Sequence, residues 1–320
     1  MKFILFLIFS ISLFSQEKNI TSSTNDNKIL LYNIKLFFPY SVIHQYRMDE
    51  ETDVVREYED GTKYTYKKRI TWYISSYAPK ISTREGEKEL YVSIDSINYE
   101  FSDGNFDIKF DNSGQYIPPG HVWDFEKTFL LNSKEFNMFY DAYNNAYDIS
   151  SERILQELNF VEDYSGKNAD FKKEQVKRRF DTQEIIFTAD PVKGMLPNNS
   201  VALDSSWNVN LKFDVDFVTF NNICSATLSK VKDSHYYINL KADTLYCIDE
   251  DMLLDDIKKV GKINAGLANG NIELSISTRG HVKYLTSKFE AIINGKVDNV
   301  KYIERKKSFV NWNLVGMWNQ

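Results

Sequence analysis

From Trp207 to Phe217 the chain alternates without interruption. Trp207, Val209, Leu211, Phe213, Val215 and Phe217 are apolar, and Asn208, Asn210, Lys212, Asp214 and Asp216 between them are polar. A period of two sustained this long predicts one strand with a dry face and a wet face, about 36 Å from end to end. The dry face must be covered, because a row of large exposed apolar side chains would form an aggregation-prone patch. Tyr236, Ile238, Leu240 and Ala242 repeat the pattern. Ile223–Val231 and His235–Cys247 read as a hairpin turning at Asp233-Ser234, with Lys232 opposite His235. Ile272, Leu274 and Ile276 lead through Thr278-Arg279-Gly280 into Val282–Ile293, and Lys301–Val315 is expected to close the sheet. Asp249–Lys259 between these strands reads as an acidic, partly helical connection.

The first third is also strand-like. Ile29–Phe38 is apolar and aromatic, and Val42–Met48 alternates. Val54–Tyr58 and Tyr64–Ile74 flank Asp60-Gly61, and Leu90–Phe101 and Phe106–Phe110 flank Asp103-Gly104, both dipeptides suited to tight hairpins. Within Leu90–Phe101 the apolar phase slips, from Leu90, Val92 and Ile94 to Ile97, Tyr99 and Phe101, which predicts a bulge or bend. Mid-chain the period changes. Phe136, Phe139, Tyr140, Tyr143 and Tyr147 fall at helical spacing. Ser150 or Ser151 is placed to cap a second helix carrying Ile154, Leu155, Leu158 and Val161, ended by Gly166-Lys167-Asn168. Asp170–Phe180 reads as a third, polar helix whose Lys172-Lys173 and Lys177-Arg178-Arg179 clusters form a solvated face. The predicted class is therefore α+β and β-dominated: long curved antiparallel sheets with a helical segment in mid-chain. The boundaries are a signal peptide over 1–15, a polar spacer over 16–28, a β-meander over 29–131, the helical segment over 132–182 and an antiparallel region over 183–320, the two β regions forming one joint domain.

Composition narrows the partners. Of 320 residues 42% are hydrophobic and 15% aromatic, ample for a large core. With 39 Lys+Arg against 45 Asp+Glu the formal charge is −6. That balance argues against a dedicated phosphate-backbone binder, and no nucleic-acid partner is expected. Met1-Lys2 precedes an apolar run, Phe3–Phe14, broken only by Ser10 and Ser12; with Ser15 before Gln16-Glu17-Lys18 this predicts a secretory signal peptide. Export to the periplasm or beyond follows as an expectation, without the cysteine near the cut that a typical lipoprotein requires. No later run approaches the roughly 20 apolar residues of a membrane-spanning helix, so no transmembrane segment is expected after cleavage. In an exported chain Cys224 and Cys247 suggest a disulfide. A straight hairpin register, however, sets Cys224 opposite Asp243 and Cys247 about 13 Å further along the same face, beyond the roughly 7 Å a bond tolerates. A bulge at Asp243-Thr244, where alternation is interrupted between Ala242 and Leu245, would bring them together; otherwise both are free thiols.

The familiar catalytic signatures are missing from the sequence. His44, His121, His235 and His281 are not at metal-ligand spacing, and there is no His-Glu-x-x-His, Gly-x-Ser-x-Gly, phosphate loop or dinucleotide fingerprint. Asp249, Asp251, Asp255 and Asp256 lack the glycine and terminal glutamate of a calcium loop. No catalytic residue, metal or cofactor is assigned. The aromatic sets are the candidate ligand-binding residues: Phe136, Phe139, Tyr143 and Tyr147 from the helical segment, and Trp207, Phe213 and Phe217 from the strand. They support non-catalytic binding of a lipid or other apolar or amphipathic ligand between sheet and helices. The alternatives are a structural protein docking an envelope protein partner and, last, a hydrolase of envelope polymers, which would need converging carboxylates with one raised pKa.

Gly61-Thr62-Lys63-Tyr64-Thr65-Tyr66 after an apolar strand resembles the opening of an uncharacterised family of exported bacterial proteins, which begin with a strand, a Gly-x-x-Tyr-x-Tyr step and a β-meander. Leu90–Tyr99 is similar to that family's next strand. Leu196-Pro197, Val201 and Ser206-Trp207 resemble its Leu-Pro…Val-x-x-Gly-Asp-Ser-Trp step, with Asp204-Ser205 standing where the pattern has Gly-Asp. The Ile272–Ile276, Gly280, Val282–Tyr284 hairpin fits as well. The resemblance covers roughly residues 54 to 293 and implies export and architecture, with no established activity. More distantly, the pattern is similar to periplasmic lipoprotein carriers, whose curved antiparallel sheet holds an acyl chain against helices.

Overall fold

Strand follows strand along most of the chain, each paired with its neighbour in register. The computed structural model describes residues 29–111, 131–141, 145–151, 154, 170, 173–174, 182–216, 218–254, 256–257 and 259–319. Met1–Leu30 and Leu31–Gln320 are separate units, and all the strands named here belong to the second. In the N-terminal part these are β1 (Leu31–Tyr32), β2 (Val42–Tyr58), β3 (Lys63–Tyr77), β4 (Lys88–Ser102), β5 (Asp107–Phe110), β6 (Glu135–Tyr140) and β7 (Ala146–Ser150). A helix described along its length, α1 (Thr182–Ala189), comes before the C-terminal strands. Then come β8 (Val201–Ala202), β9 (Ser206–Val215), β10 (Val218–Lys232), β11 (His235–Cys247), β12 (Asp251–Leu254), β13 (Lys259–Ser277), β14 (Val282–Val297) and β15 (Val300–Asn319). Apart from the small β1–β8 pair, they form one open sheet in the order β7-β6-β4-β3-β2-β15-β14-β13-β11-β10-β9, with β5 added to β4 and β12 to β13. Every pairing within it is antiparallel. The N-terminal and C-terminal strands meet where β15 pairs β2 along 17 registered partners, Tyr302↔Tyr58 to Asn319↔Val42.

The two faces are segregated by the two-residue period. Outward positions form a registered charge ladder. Glu290 of β14 faces Lys307 of β15, Lys307 faces Asp53 of β2, and Asp53 faces Lys67 of β3. One step along, Glu51 faces Arg69, and ion pairs join Lys307 to Glu290 at 3.1 Å and Arg69 to Glu51 at 3.7 Å. This ladder explains why β2 is one strand of 17 residues. The polar stretch Asp49–Asp53, which separates two apolar segments in the sequence, is held extended by opposite charges across both neighbours. Inward positions carry the core: Met48, Trp72, Leu285 and Trp312 lie in one registered row, and each is buried. The sheet rolls over this inner face, so that Phe213 near the end of β9 meets Phe289 of β14 with ring centroids 4.0 Å apart. Gly270 leaves the space that the Phe289 ring occupies. A Cβ there would sit 2.2 Å from the Lys288 carbonyl and 2.3 Å from the Phe289 ring, so no larger residue fits.

Several expected features have their physical counterparts here. β9 has alternating burial, with Val209, Leu211 and Val215 buried and Asn208, Asn210, Lys212 and Asp214 exposed. The β10–β11 hairpin pairs Lys232 with His235 and turns through Asp233 and Ser234, both at positive φ (51° and 60°), as a two-residue turn between twisted strands requires. The phase slip in β4 is a bulge: Tyr73 and Ile74 of β3 face Ser96 and Ile94, leaving Asp95 extra. Asp95 turns back to accept hydrogen bonds from the Ser75 hydroxyl and, at 3.5 Å, from Gln45 Nε2.

Other expectations are corrected. The first part of the segment expected to be helical, including Phe136, Phe139 and Tyr140, is instead β6 and β7, strands that extend the edge of β4. The misleading spacing arises because β6 is covered on both faces. Phe136, Met138 and Tyr140 are buried in strand alternation, while Phe139 is buried on the other side beneath the Arg84 guanidinium, 3.7 Å from its ring centroid. A strand dry on both faces mimics one helical turn. Helix does occur further on, at Ile154, Asp170, Lys173 and Glu174 and as α1, but the rest of the second and third expected helices lies outside the described residues, as does Tyr143. The Asp249–Lys259 connection contains strand β12 rather than a helix, with Leu253 facing Val260. The curved sheets are one sheet. The residues of the expected signal peptide and spacer lie outside the described residues.

Candidate functional site

α1 places the lid of a cavity. Its Ile185 and Ile186 are buried, its Asp190 amide donates to the Ile186 carbonyl at 2.7 Å, and Pro191, which has no amide hydrogen to donate, stops it. Asp190 then accepts from the Val192 amide at 3.2 Å and the Tyr140 hydroxyl at 3.3 Å, fixing the turn that follows. The Trp207 indole donates to the Met195 carbonyl at 2.9 Å, tying the far end of that turn to β9. Phe187, Thr188, Pro191 and Met195 thereby roof a cavity of about 220 Å³ over the inner face of the sheet.

The walls are divided by chemistry. Leu211 and Phe213 of β9, Ile272 of β13, Leu285 and Phe289 of β14, Met48 of β2 and Val310 of β15 are apolar. Thr52, Glu50, Ser287, Ser308 and Lys68 are polar, Asp216 closes that end, and the exposed Lys212 and Asp214 of β9 also line it. The register explains the grouping, because Phe289, Ser308, Thr52 and Lys68 form one row across β14, β15, β2 and β3.

Behind the polar end lies a buried ionic network. Lys68 Nζ is 2.6 Å from Asp216 Oδ1, and Lys306 Nζ is 3.1 Å from Asp216 Oδ2 and 2.8 Å from Glu304 Oε1. Arg56 donates to Glu304 and to Asp256, each at 2.5 Å, and the Tyr58 hydroxyl donates to Asp256 at 2.7 Å. The Tyr66 hydroxyl completes the set on Asp216. Glu304 and Lys306 are 0% and 1% exposed, so these charges persist only because they are paired. Burial alone would push the Asp216 carboxyl up, but Lys306 and Lys68 overcome it and hold the group far below the usual carboxylate range. Lys306 is likewise disfavoured by burial, yet Asp216 and Glu304 raise it above its ordinary value. Asp216 has a positive φ of 45°, a conformation Asp tolerates, which turns its carboxylate inward at the end of β9.

Two other buried titratable groups oppose each other in pH. Burial, with His281 and Lys283 nearby, lowers His44 to about 4, while burial raises Asp190 to about 6. For His44 the unfolded state takes the proton first, so stability is lost as pH falls from about 6.5 to 4. For Asp190 the folded state takes it first, so stability is lost as pH rises from about 4 to 6. Each shift is worth about 3 kcal/mol, and the wild type should show little net slope from this pair. Urea unfolding of Asp190→Asn between pH 4 and 7 should show a loss of about 3 kcal/mol on acidification. His44→Phe should show the reverse slope. Equal slopes in the two variants would refute these assignments.

The sequence-expected residues divide. Phe213 lines the cavity and Trp207 anchors its roof. Phe136 and Phe139 are core residues away from the cavity, and Tyr147, 40% exposed, hydrogen-bonds Glu87 and Arg84 on the surface. Tyr143 and Phe217 lie outside the described residues. Cys224 and Cys247 are free thiols. The irregularity between Asn221 and Ser225 leaves Cys224 beside Val209 and Cys247 beside Phe220. The polar half of the site was missed. Its signal was charge at positions in phase with apolar neighbours: Arg56 beside Val54, and Glu304 and Lys306 between Tyr302 and Val310.

No family model matches the sequence, and no curated protein matches it. Among solved structures, one of lipovitellin described for its lipid–protein interactions aligns over 88% of this chain and 26% of its own, at 11% identity and a TM-score of 0.45. The chain thus spans about a quarter of that protein. DynF from the dynemicin biosynthesis pathway of Micromonospora chersina aligns over 92% of this chain and 90% of its own, at 5% identity and a TM-score of 0.23. An outer membrane channel of Pseudomonas putida F1 aligns over 91% and 99%, at 4% identity and a TM-score of 0.22. At TM-scores below 0.5 these likenesses bear on neither ancestry nor activity. No helix among the described residues is long and apolar enough to cross a membrane.

Proposed function

We propose that the protein is an exported, non-catalytic binding protein that holds the apolar part of an amphipathic ligand between the sheet and α1. The observation that carries this reading is the mixed lining of the cavity, in which Leu211, Phe213, Ile272, Leu285 and Phe289 are apolar and Thr52, Ser308 and Lys68 are polar. Convergent polar groups at one end of an apolar cavity orient a ligand. The volume of about 220 Å³ lies below that of pockets enclosing a whole drug-sized molecule, which fits an alkyl segment with the remainder in solvent. Export rests on the Met1–Ser15 pattern.

Native mass spectrometry of gently purified protein should show a co-purifying small molecule, released by organic solvent. Leu211→Trp, which fills the cavity at an overpacking cost of about 1–3 kcal/mol, should remove that adduct while circular dichroism keeps its strand signature. Protein that carries no adduct and binds no alkyl probe would end the proposal.

One observation favours a second reading, docking to an envelope protein. Tyr246, Leu267 and Ile292 are each half-exposed and directly opposite one another across β11, β13 and β14 on the outer face. Cross-linking in intact cells should then give one stable partner, whereas a carrier gives transient ones.

A further inference from the structure

We propose that the ligand of this cavity carries an uncharged hydrogen-bonding head, such as an alcohol or an ester of glycerol, rather than a carboxylate or an ammonium; this rests on the binding function proposed above. The charges behind the cavity are already matched. Arg56, Lys68 and Lys306 are paired with Asp216, Asp256 and Glu304, three cations against three anions. An anionic head among the hydroxyls would have to draw Lys68 from Asp216 or rely on Lys212 on the exposed face of β9, and parting a buried ion pair is costly. The lining itself carries Lys68 and Lys212 against Glu50, Asp214 and Asp216, a balance of two against three that further disfavours an anion. Asp216 gives a cation little in return, because it already accepts from Lys68, Lys306 and Tyr66; Glu50 and Asp214, the other lining carboxylates, are the groups that decyltrimethylammonium probes below.

What the cavity offers is hydroxyls. Ser308 and Thr52 are directly opposite one another, and Ser287 lies on the neighbouring row of the same face. Thr52 and Ser287 are buried, and all three line the cavity. A hydroxyl both donates and accepts and rotates to suit its partner, so this row matches an alcohol or ester head without altering any charge.

The test uses three amphiphiles with the same ten-carbon tail: 1-monodecanoylglycerol, decanoate and decyltrimethylammonium. Each displaces the neutral fluorescent probe N-phenyl-1-naphthylamine from the wild-type protein at pH 8. The monoglyceride is expected to bind at least tenfold more tightly than either ion. Ser308→Ala with Thr52→Val should weaken monoglyceride binding about tenfold and change the affinities for decanoate and decyltrimethylammonium much less. If either ion binds as tightly as the monoglyceride, or the double variant binds it normally, the head-group assignment is overturned and the binding function stands. If neither the probe nor any of the three amphiphiles binds, both fall.

Discussion

Lys306→Met is expected to lower the unfolding free energy by about 3–5 kcal/mol, the range for breaking a buried ion pair by removing one partner. Lys306 is 1% exposed, donates to Asp216 and is ion-paired with Glu304 at 2.8 Å. Methionine preserves most of the stem's packing, so the loss reports the two carboxylates left short of a cation. The coupling has a second signature. Adding Glu304→Gln should recover part of the loss, because one anion then leaves with the cation and Arg56 and Lys68 stay matched by Asp256 and Asp216; contacting residues are not additive. Urea denaturation at pH 7 of the single and double variants measures both effects. A single-variant loss under 1 kcal/mol would mean that water screens the network, and the charge-matching that selects an uncharged head group would fail with it.

Trp312→Ala should cost a similar amount, about 3–5 kcal/mol, as expected for removing a buried tryptophan. Trp312 is 2% exposed, lies between Met48 and Leu285 in the central row, and has its ring centroid 5.0 Å from that of Tyr46. Its indole N–H is buried without a hydrogen-bond partner. Trp312→Phe should therefore cost much less than Trp312→Ala, since it loses volume but also removes an unsatisfied donor. Guanidinium unfolding of the pair checks this, and a phenylalanine variant as unstable as the alanine one would show that the indole N–H has a partner.

The sequence determined by itself what depends on near neighbours. Alternation in β9 sets which side chains face the core, because successive strand residues point to opposite faces whatever the strand packs against. Asp233-Ser234 specifies a two-residue turn and hence the register around Lys232 and His235. The phase slip in β4 announces the bulge at Asp95 for the same local reason. Tertiary structure decided the rest. Whether Phe136, Phe139 and Tyr140 belong to a helix or to a strand buried on both sides depends on the edge of β4, 48 residues earlier for the pair Met138↔Leu90; spacing alone reads as a helix until that partner is placed beside it. The charged half of the cavity depends on longer reach still. Arg56 and Glu304 are 248 positions apart, and Lys68 and Asp216 are 148 apart. Each reads in isolation as a solvated charge, because local pattern cannot show whether a charged residue in apolar phase meets water or a counter-charge. Only the pairing of β2 with β15, and the roll that brings the end of β9 over both, turns six scattered charges into one buried, balanced set.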